Sequence, residues 1–273
     1  MRALAVLLFV LAGMAAGMAA ALPAAACGPD TDCMIGERSY RISLPDKVGP
    51  VTGALVYAHG YRGSSKGAMR NKAMRALASE LGVALVAADA GVTDDWQIPG
   101  VPRNRDTDGG REFSYFAALI DDLADRHGLD RERMIMTGFS AGGMMVWELA
   151  CKRRELFLAY IPIAGTHWAP VPESCTAPVG DLVHIHGTGD KIVPIDGRRI
   201  ANTRQGRVPL ALARTIAEGG FGAPVQSESK GLDCATRQNA SGEIMAFCTH
   251  PGGHSIKMDY LRRALEILGP RGF

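Results

Sequence analysis

The 273-residue chain has 30 Lys and Arg against 28 Asp and Glu, so its formal net charge of +2 is close to balance. The basic residues are scattered rather than gathered in a stripe, which disfavours a nucleic-acid partner. Hydrophobic residues make up 47% of the chain, enough for a sizeable core, and no repeat or low-complexity linker divides the sequence.

The first 26 residues have the layout of an export signal. A short positive start is followed by an apolar run and then by Ala24-Ala25-Ala26, which offers a cleavage site before Cys27. We therefore predict that residues 1–26 are a signal peptide, that residues 27–273 form a single domain, and that the protein is secreted or periplasmic. A retained membrane helix fits less well because the strongly apolar part is short. A lipidated Cys27 is a further alternative, disfavoured because Ala24 stands where a lipoprotein signal usually has Leu.

All six cysteines lie beyond the predicted signal. An even number in an exported chain indicates disulfides, although six cysteines allow 15 pairings and the sequence does not choose among them. None has the spacing of a zinc site, so we expect no metal. Proximity along the chain favours Cys27 with Cys33, Cys151 with Cys175, and Cys234 with Cys248.

Apolar runs and helical periodicities alternate along the mature chain. Strands are predicted at 39–45, 54–58, 83–88, 134–136, 160–163, 182–186 and 243–249, and helices at 67–81, 113–127, 144–150, 210–218 and 256–268, with a loop over 91–110. The first strand alternates in polarity and suits an antiparallel position. The later ones read as strands buried on both faces, so we predict an α/β fold: a mainly parallel central sheet covered by helices on both faces.

Thr137-Gly138-Phe139-Ser140-Ala141-Gly142-Gly143 stands between an apolar strand and a helix. A serine on such a turn adopts a strained backbone conformation, and the neighbouring chain passes so close that Gly138 and Gly142 must lack side chains. Strand, Gly-x-Ser-x-Gly and helix together are the context of a nucleophile elbow. We predict Ser140 as a nucleophile; an idle serine in a Gly-rich turn is the alternative.

A serine nucleophile needs an imidazole base and a carboxylate that orients it, in the chain order Ser, acid, His. Asp190 lies in a loop after the strand 182–186, and His254 lies between the last strand and the last helix. Asp181 precedes its strand, at the wrong edge of the sheet, and Asp196 lies further along the loop than the acid usually does. We therefore predict Asp190 as the acid and His254 as the base.

Four other histidines compete for a role at the same edge of the sheet. His250 also follows the last strand, but Pro251-Gly252-Gly253 presents His254 with more freedom. His184 and His186 alternate within one strand and read as structural histidines near the acid loop, while His167 reads equally as a pocket residue or part of a surface loop.

The oxyanion of an acyl-transfer reaction needs two backbone N–H donors. Ala141 supplies one because it follows the nucleophile. We predict Tyr61 as the other, since the loop beginning His59-Gly60-Tyr61 follows the strand 54–58 and resembles the His-Gly loops of esterases. These donors belong to the backbone, so side-chain substitutions at either residue would report poorly on them.

The motifs Ala58-His59-Gly60, Gly138-Phe139-Ser140-Ala141-Gly142, His186-Gly187-Thr188-Gly189-Asp190 and Gly252-Gly253-His254 resemble those of the secreted polyhydroxybutyrate depolymerase and feruloyl esterase group of α/β-hydrolases. The resemblance implies a Ser-His-Asp carboxylester hydrolase without a cofactor, acting on small or oligomeric hydroxyalkanoate or feruloyl esters. It also favours the Cys151 to Cys175 and Cys234 to Cys248 links.

Substrate contacts are the least determined part of this prediction. His59, Trp96 and Trp168 are candidates, the tryptophans by stacking on an aromatic acyl group, although packing in the core or a loop is the default interpretation of each tryptophan. A peptidase, an acyltransferase and a non-catalytic binding protein on the same scaffold remain competing functions. The sequence does not indicate an oligomeric state.

Overall fold

The computed structural model describes residues 27–46, 51–91, 95–104, 106 and 108–269. The predicted signal peptide, residues 1–26, lies outside the described residues, so its removal stays a prediction. Within these ranges, no helix combines the length and the apolar composition that crossing a bilayer requires.

A ten-stranded sheet runs through the molecule in the order β1-β2-β4-β3-β5-β6-β7-β12-β11-β10. The strands from β4 to β12 in this order are parallel, and antiparallel strands flank them on both sides. A separate short hairpin is formed by β8 and β9. The strands are β1 (Cys33–Ile35), β2 (Arg38–Ser43), β3 (Ala54–Ala58), β4 (Ala84–Ala88), β5 (Met134–Phe139), β6 (Ala159–Ile163), β7 (Leu182–Gly187), β8 (Arg199–Ile200), β9 (Thr203–Arg204), β10 (Val225–Ser229), β11 (Leu232–Gln238) and β12 (Ile244–His250).

Helices cover both faces of the sheet. They are α1 (Ser65–Met69), α2 (Lys72–Leu81), α3 (Gly110–His127), α4 (Ala141–Lys152), α5 (Val208–Glu218) and α6 (Met258–Leu268). Side chains of α3, α4 and α5 pack into the core on one face, and those of α2 and α6 pack into the core on the other. Val56 of β3 belongs to the first core and Leu55 to the second, because successive side chains of a strand point to opposite faces. The predicted mainly parallel sheet with two covered faces is confirmed.

Three details of the predicted elements are wrong. The helix expected over 67–81 is two helices, α1 and α2. Asn71 lies between them and caps α2 by accepting a hydrogen bond from the Met74 N–H at 3.1 Å. The helix expected from 113 begins at Gly110. The strands β1, β10 and β11 were not predicted; β10 is mostly exposed and polar, so it lacks the apolar run that marks a buried strand.

The six cysteines form the three disulfides that proximity favours, and each serves a different part of the fold. Cys27 bonds Cys33 beside the first strand, and Cys151 at the end of α4 bonds Cys175. Cys234 of β11 bonds Cys248, which lies directly opposite it on β12. The last bond therefore joins two strands of the antiparallel end of the sheet.

Candidate active site

Ser140 lies at the turn between β5 and α4, with φ 59° and ψ −119°. The glycines around it are a steric requirement. A Cβ on Gly138 would lie 2.5 Å from Gly142 O, and a Cβ on Gly142 would lie 2.7 Å from His59 O and closer still to Ala58 O. Real Cβ atoms do not approach backbone oxygens so closely, so only glycine lets β3, β5 and α4 meet here.

Asp190 and His254 meet at the carboxyl edge of the sheet, where β7 and β12 end. His254 Nδ1 lies 2.7 Å from Asp190 Oδ2, while Asp190 Oδ1 accepts the backbone N–H groups of Ile192 and Val193 at 2.8 and 2.9 Å. An ionised carboxylate only accepts hydrogen bonds, so the imidazole carries its proton on Nδ1. Nε2 is then left as a proton acceptor, the state that a general base requires.

The imidazole of His254 packs against Phe139, the residue before Ser140, with ring centroids 4.6 Å apart. The chain therefore brings the His254–Asp190 pair to the nucleophile turn, although the three residues are far apart in sequence. The Asp190 side chain is fully buried and that of His254 is 15% exposed, so the carboxylate lies behind the ring. Proton transfer between Ser140 Oγ and His254 Nε2 stays a prediction.

The competing acids and the competing base hold other positions. Asp181 lies before β7 and accepts the Ile244 N–H at 2.6 Å, at the opposite edge of the sheet from Ser140. Asp196 is exposed and pairs with Arg207 at 3.1 Å. His250 is buried, and its Nδ1 accepts the Gly252 N–H at 3.1 Å. That bond shapes the turn that leads to His254.

A chain of buried hydrogen bonds supports the acid loop from behind. Trp147 Nε1 donates to His184 Nδ1 at 3.2 Å, so the His184 proton is on Nε2, which donates to His186 Nδ1 at 2.9 Å. His186 therefore also carries its proton on Nε2 and donates it to Val193 O at 2.7 Å. Burial lowers the pKa of both histidines below the ordinary value, which keeps them neutral. We call this set the histidine relay.

The loop after β3 lies against the nucleophile turn. A Cβ on Gly60 would lie 3.4 Å from both Phe139 O and Ser140 Cβ, so the backbone of this loop passes directly beside the serine. Tyr61 and Ala141 both line the cavity that contains Ser140. Ala141 is the first residue of α4, where the backbone N–H has no carbonyl of its own helix to bond. Both predicted oxyanion donors thus come from segments beside the nucleophile.

His59 is not among the residues that line the cavity beside Ser140, which corrects the prediction that it contacts the substrate. Its side chain is buried, Ala90 N donates to its Nε2 at 3.1 Å, and Nδ1 lies 2.9 Å from Gly60 O. The ring therefore joins the β3 loop to the loop after β4. These contacts hold the loop that carries Tyr61, so the position of His59 at the end of a strand has a structural role.

Trp96 is packed in the core, the default interpretation of its sequence position, and its candidate role as a substrate contact is wrong; the substrate contact of Trp168 stays a prediction. Trp96 is 1% exposed, stacks on Phe116 with centroids 5.5 Å apart, and donates its indole N–H to His59 O at 2.8 Å. It is a core residue and does not line the cavity. Trp168 does line it, opposite Gln205 in a short antiparallel bridge.

The cavity beside Ser140 has a volume of about 430 Å³ and mainly apolar walls. Sequence reasoning missed its charged residues, Asp95, Arg103 and Arg198. They come from loops after β4 and β7, whose paths no local pattern reveals. The sequence signal that could have found them is that ligands bind near loops at the carboxyl edge of a parallel sheet, and this signal indicates a region of the fold without identifying individual residues.

One group of side chains within the described residues has the spacing of metal ligands, namely Cys27, Cys33 and His127. Both cysteines are consumed by their disulfide and offer no thiolate, so the group does not fit a thiolate-bound metal. His127 is the last residue of α3, and its Nε2 lies 2.9 Å from the Tyr40 hydroxyl.

Comparisons with known proteins agree with the fold. A model of the prolyl oligopeptidase family matches residues 72–169, a segment that contains Ser140. The putative esterase NocK of Nocardia uniformis subsp. tsuyamanensis is 30% identical over 141 residues, which is 51% of this chain and 40% of NocK. Feruloyl esterase C of Emericella nidulans is 26% identical over 151 residues, which is 53% of this chain and 50% of that protein. The chain thus spans half or less of the length of these curated relatives.

A solved structure matches far more of the chain. Acetyl xylan esterase from Aspergillus awamori superposes with a TM-score of 0.60 at 16% sequence identity, covering 89% of this chain and 96% of that one. At this identity the likeness concerns the arrangement of strands and helices alone. The family model ends at residue 169 and does not reach Asp190 or His254.

Proposed function

From the α/β-hydrolase fold of this chain, we propose that it is a serine carboxylester hydrolase with Ser140 as nucleophile, His254 as base and Asp190 as the orienting acid. The observation that supports this most is the 2.7 Å contact between His254 Nδ1 and Asp190 Oδ2. It fixes the tautomer that leaves Nε2 ready to accept a proton, at a ring packed on the nucleophile turn.

In the proposed reaction, Ser140 Oγ attacks the ester carbonyl while its proton passes to His254 Nε2. The backbone N–H groups of Tyr61 and Ala141 hold the oxyanion. Collapse of the tetrahedral intermediate releases the alcohol, which takes the proton back from His254, and leaves an acyl-enzyme on Ser140. Water then attacks the acyl-enzyme with the same proton transfers, releasing the acid and the free serine.

We propose aromatic esters of the feruloyl type or short hydroxyalkanoate esters as substrates. The mainly apolar cavity beside Ser140 and its wall residue Trp168 support an acyl group of either kind. The similarity to a feruloyl esterase favours the aromatic class. We also propose export from the cytoplasm, because three disulfides are typical of proteins that fold in oxidising compartments.

A peptidase is the second candidate, favoured by the match to the prolyl oligopeptidase family over residues 72–169. The same three residues would act on an amide carbonyl, and the leaving group would be an amine. A peptide anilide therefore belongs in the substrate panel beside methyl ferulate and hydroxybutyrate oligomers.

The test uses residues 27–273 with p-nitrophenyl butyrate, and compares the wild-type protein with Ser140→Ala. We expect Ser140→Ala to lose at least about 1,000-fold in kcat, the usual effect of removing a triad nucleophile. Ser241→Ala, which removes an exposed hydroxyl in a turn, is the matched control and should keep the wild-type rate. Equal rates for Ser140→Ala and the wild type would refute the mechanism.

A further inference from the structure

Two arginines are among the residues that line the cavity beside Ser140, whose walls are otherwise mainly apolar. Arg103 comes from the loop after β4, and Arg198 comes from the loop that leads into the β8–β9 hairpin. Apolar side chains such as Ile98, Val101 and Met144 form much of the remaining wall. Both arginines are exposed, so their guanidinium groups are accessible to a ligand that enters the cavity.

Neutral groups hold both guanidinium groups in place. Arg103 donates from one terminal nitrogen to the Tyr61 hydroxyl at 2.9 Å, and Arg198 donates from Nε to Ile192 O at 2.6 Å. Arg103 also acts electrostatically on the Asp95 carboxyl group. Arg198 forms no ion pair with a carboxylate within the described residues, in contrast to Arg207, which pairs with Asp196. Since a guanidinium has five N–H donors, each arginine keeps donors for a ligand.

Asp95 is the carboxyl group among the cavity-lining residues, and it does not balance the two arginines. Burial raises the pKa of Asp95 to about 6, although the Arg103 guanidinium opposes this shift. When Asp95 is ionised it compensates one of the two cations, and when it is protonated it compensates neither. The charges of the described residues that line the cavity therefore sum to a positive value in both states.

We propose that the substrate carries a carboxylate on the part that occupies this cavity, and that Arg103 and Arg198 bind it. This inference rests on the proposed ester hydrolysis and adds a specificity to it. A planar carboxylate matches the paired N–H donors of a guanidinium, whereas an amide of the same shape brings no charge and directs its own N–H donors at the guanidinium groups. The protein should therefore discriminate an anionic ester from its neutral amide.

Two matched pairs of esters test the two ends of the substrate. Monomethyl glutarate and its neutral amide, methyl 5-amino-5-oxopentanoate, carry the difference on the acyl side. 4-Acetoxybutanoate and 4-acetoxybutanamide carry it on the alcohol side. Acid release is followed by titration at pH 7.5, and the measured quantity is the ratio of kcat/KM within each pair. We expect a preference of about tenfold for the anion in one pair, the size of one charge-assisted hydrogen bond.

Substitutions then assign the preference to the arginines. Arg198→Gln and Arg103→Gln should each reduce the ratio several-fold, and raising the NaCl concentration should reduce it in the wild type. Arg204→Gln is the matched control, because Arg204 lies in the β8–β9 hairpin that directly follows Arg198 and is not among the residues that line the cavity. It should keep the wild-type ratio. No anion preference in either pair, or a preference that survives both cavity substitutions, would overturn the proposal.

A binding measurement separates this proposal from the proposed function. The Ser140→Ala protein is titrated with each ester by ligand-observed NMR, which needs no turnover. Tighter binding of the anionic esters, weakened by Arg198→Gln, would support the carboxylate site even if no ester were hydrolysed. Ester hydrolysis that depends on Ser140, with equal binding of anionic and neutral esters, would support the function and reject the site.

Discussion

The histidine relay predicts that two substitutions will be strongly non-additive. His184→Leu leaves two buried polar groups without partners, the Trp147 indole N–H and His186 Nδ1. His186→Leu also leaves two, the His184 Nε2–H group and Val193 O. The double substitution leaves only Trp147 N–H and Val193 O, because the two histidine atoms that faced each other are both gone.

The expected energies follow from this count of unpaired groups. Each buried polar group that loses its partner costs about 1–3 kcal/mol, so each single substitution should lower the free energy of unfolding by about 4 kcal/mol. The double substitution should also cost about 4 kcal/mol rather than the sum of about 8 kcal/mol. Leu is close to His in volume, and both positions are fully buried, so cavity effects should be small beside these values.

Urea unfolding at pH 8 measures this coupling, because the lowered pKa values of His184 and His186 keep both side chains neutral there in the folded protein, and this pH also lies above the ordinary histidine pKa of the unfolded chain. The wild type, both single variants and the double variant form one cycle, followed by tryptophan fluorescence and far-ultraviolet circular dichroism. Additive losses in the double variant would refute the directed chain of hydrogen bonds. A loss confined to His186→Leu would show that only its contact with Val193 matters.

Two further predictions concern pH and the nucleophile turn. The pKa values of His184 and His186 are lowered in the folded protein, so the unfolded chain takes up protons first as the pH falls. The free energy of unfolding should therefore decrease below about pH 6.5, by up to about 1.4 kcal/mol per pH unit for each histidine. Urea unfolding measured between pH 8 and 5 should show that this free energy depends less steeply on pH in the double Leu variant than in the wild type. The same pH dependence in both proteins would contradict this. Gly142→Ala should lower the free energy of unfolding by about 3 kcal/mol or more and abolish ester hydrolysis, because its Cβ would meet the backbone of β3. Gly222→Ala is the control: its Cβ would lie 3.5 Å from Gln238 O, so it should change the free energy of unfolding by less than about 0.5 kcal/mol. Thermal unfolding of both variants measures these values.

The parts of the site that the sequence predicts are those fixed by local chain geometry. Ser140 is recognisable because a strand, a strained turn and a helix follow one another within a few residues, and the close approaches at Gly138 and Gly142 are local as well. Asp190 and His254 are recognisable because each directly follows a buried strand of a parallel sheet. Such strands end at one edge, so residues distant in sequence become neighbours without any further information.

The parts that the sequence does not predict depend on how loops pack on one another. Arg103 and Arg198 belong to loops without a periodic pattern, and they meet at one cavity only because both loops fold over the same edge. Trp96 illustrates the opposite case: its position in a polar loop near the site makes it a candidate substrate contact, yet its ring is buried against Phe116. Burial of a loop residue is a tertiary property, and local polarity does not report it.

Two of the histidine–carboxylate pairs among the described residues have nearly the same geometry, and their differences define what a catalytic pair requires. His167 Nδ1 lies 2.8 Å from Glu148 Oε1, nearly the same distance as His254 Nδ1 from Asp190 Oδ2. His167, however, packs on Trp147 in the core, whereas His254 packs on the residue before the nucleophile and keeps part of its surface open. The pairing of imidazole with carboxylate is therefore common to both pairs. Access of the second ring nitrogen to the serine turn is the feature that singles out His254.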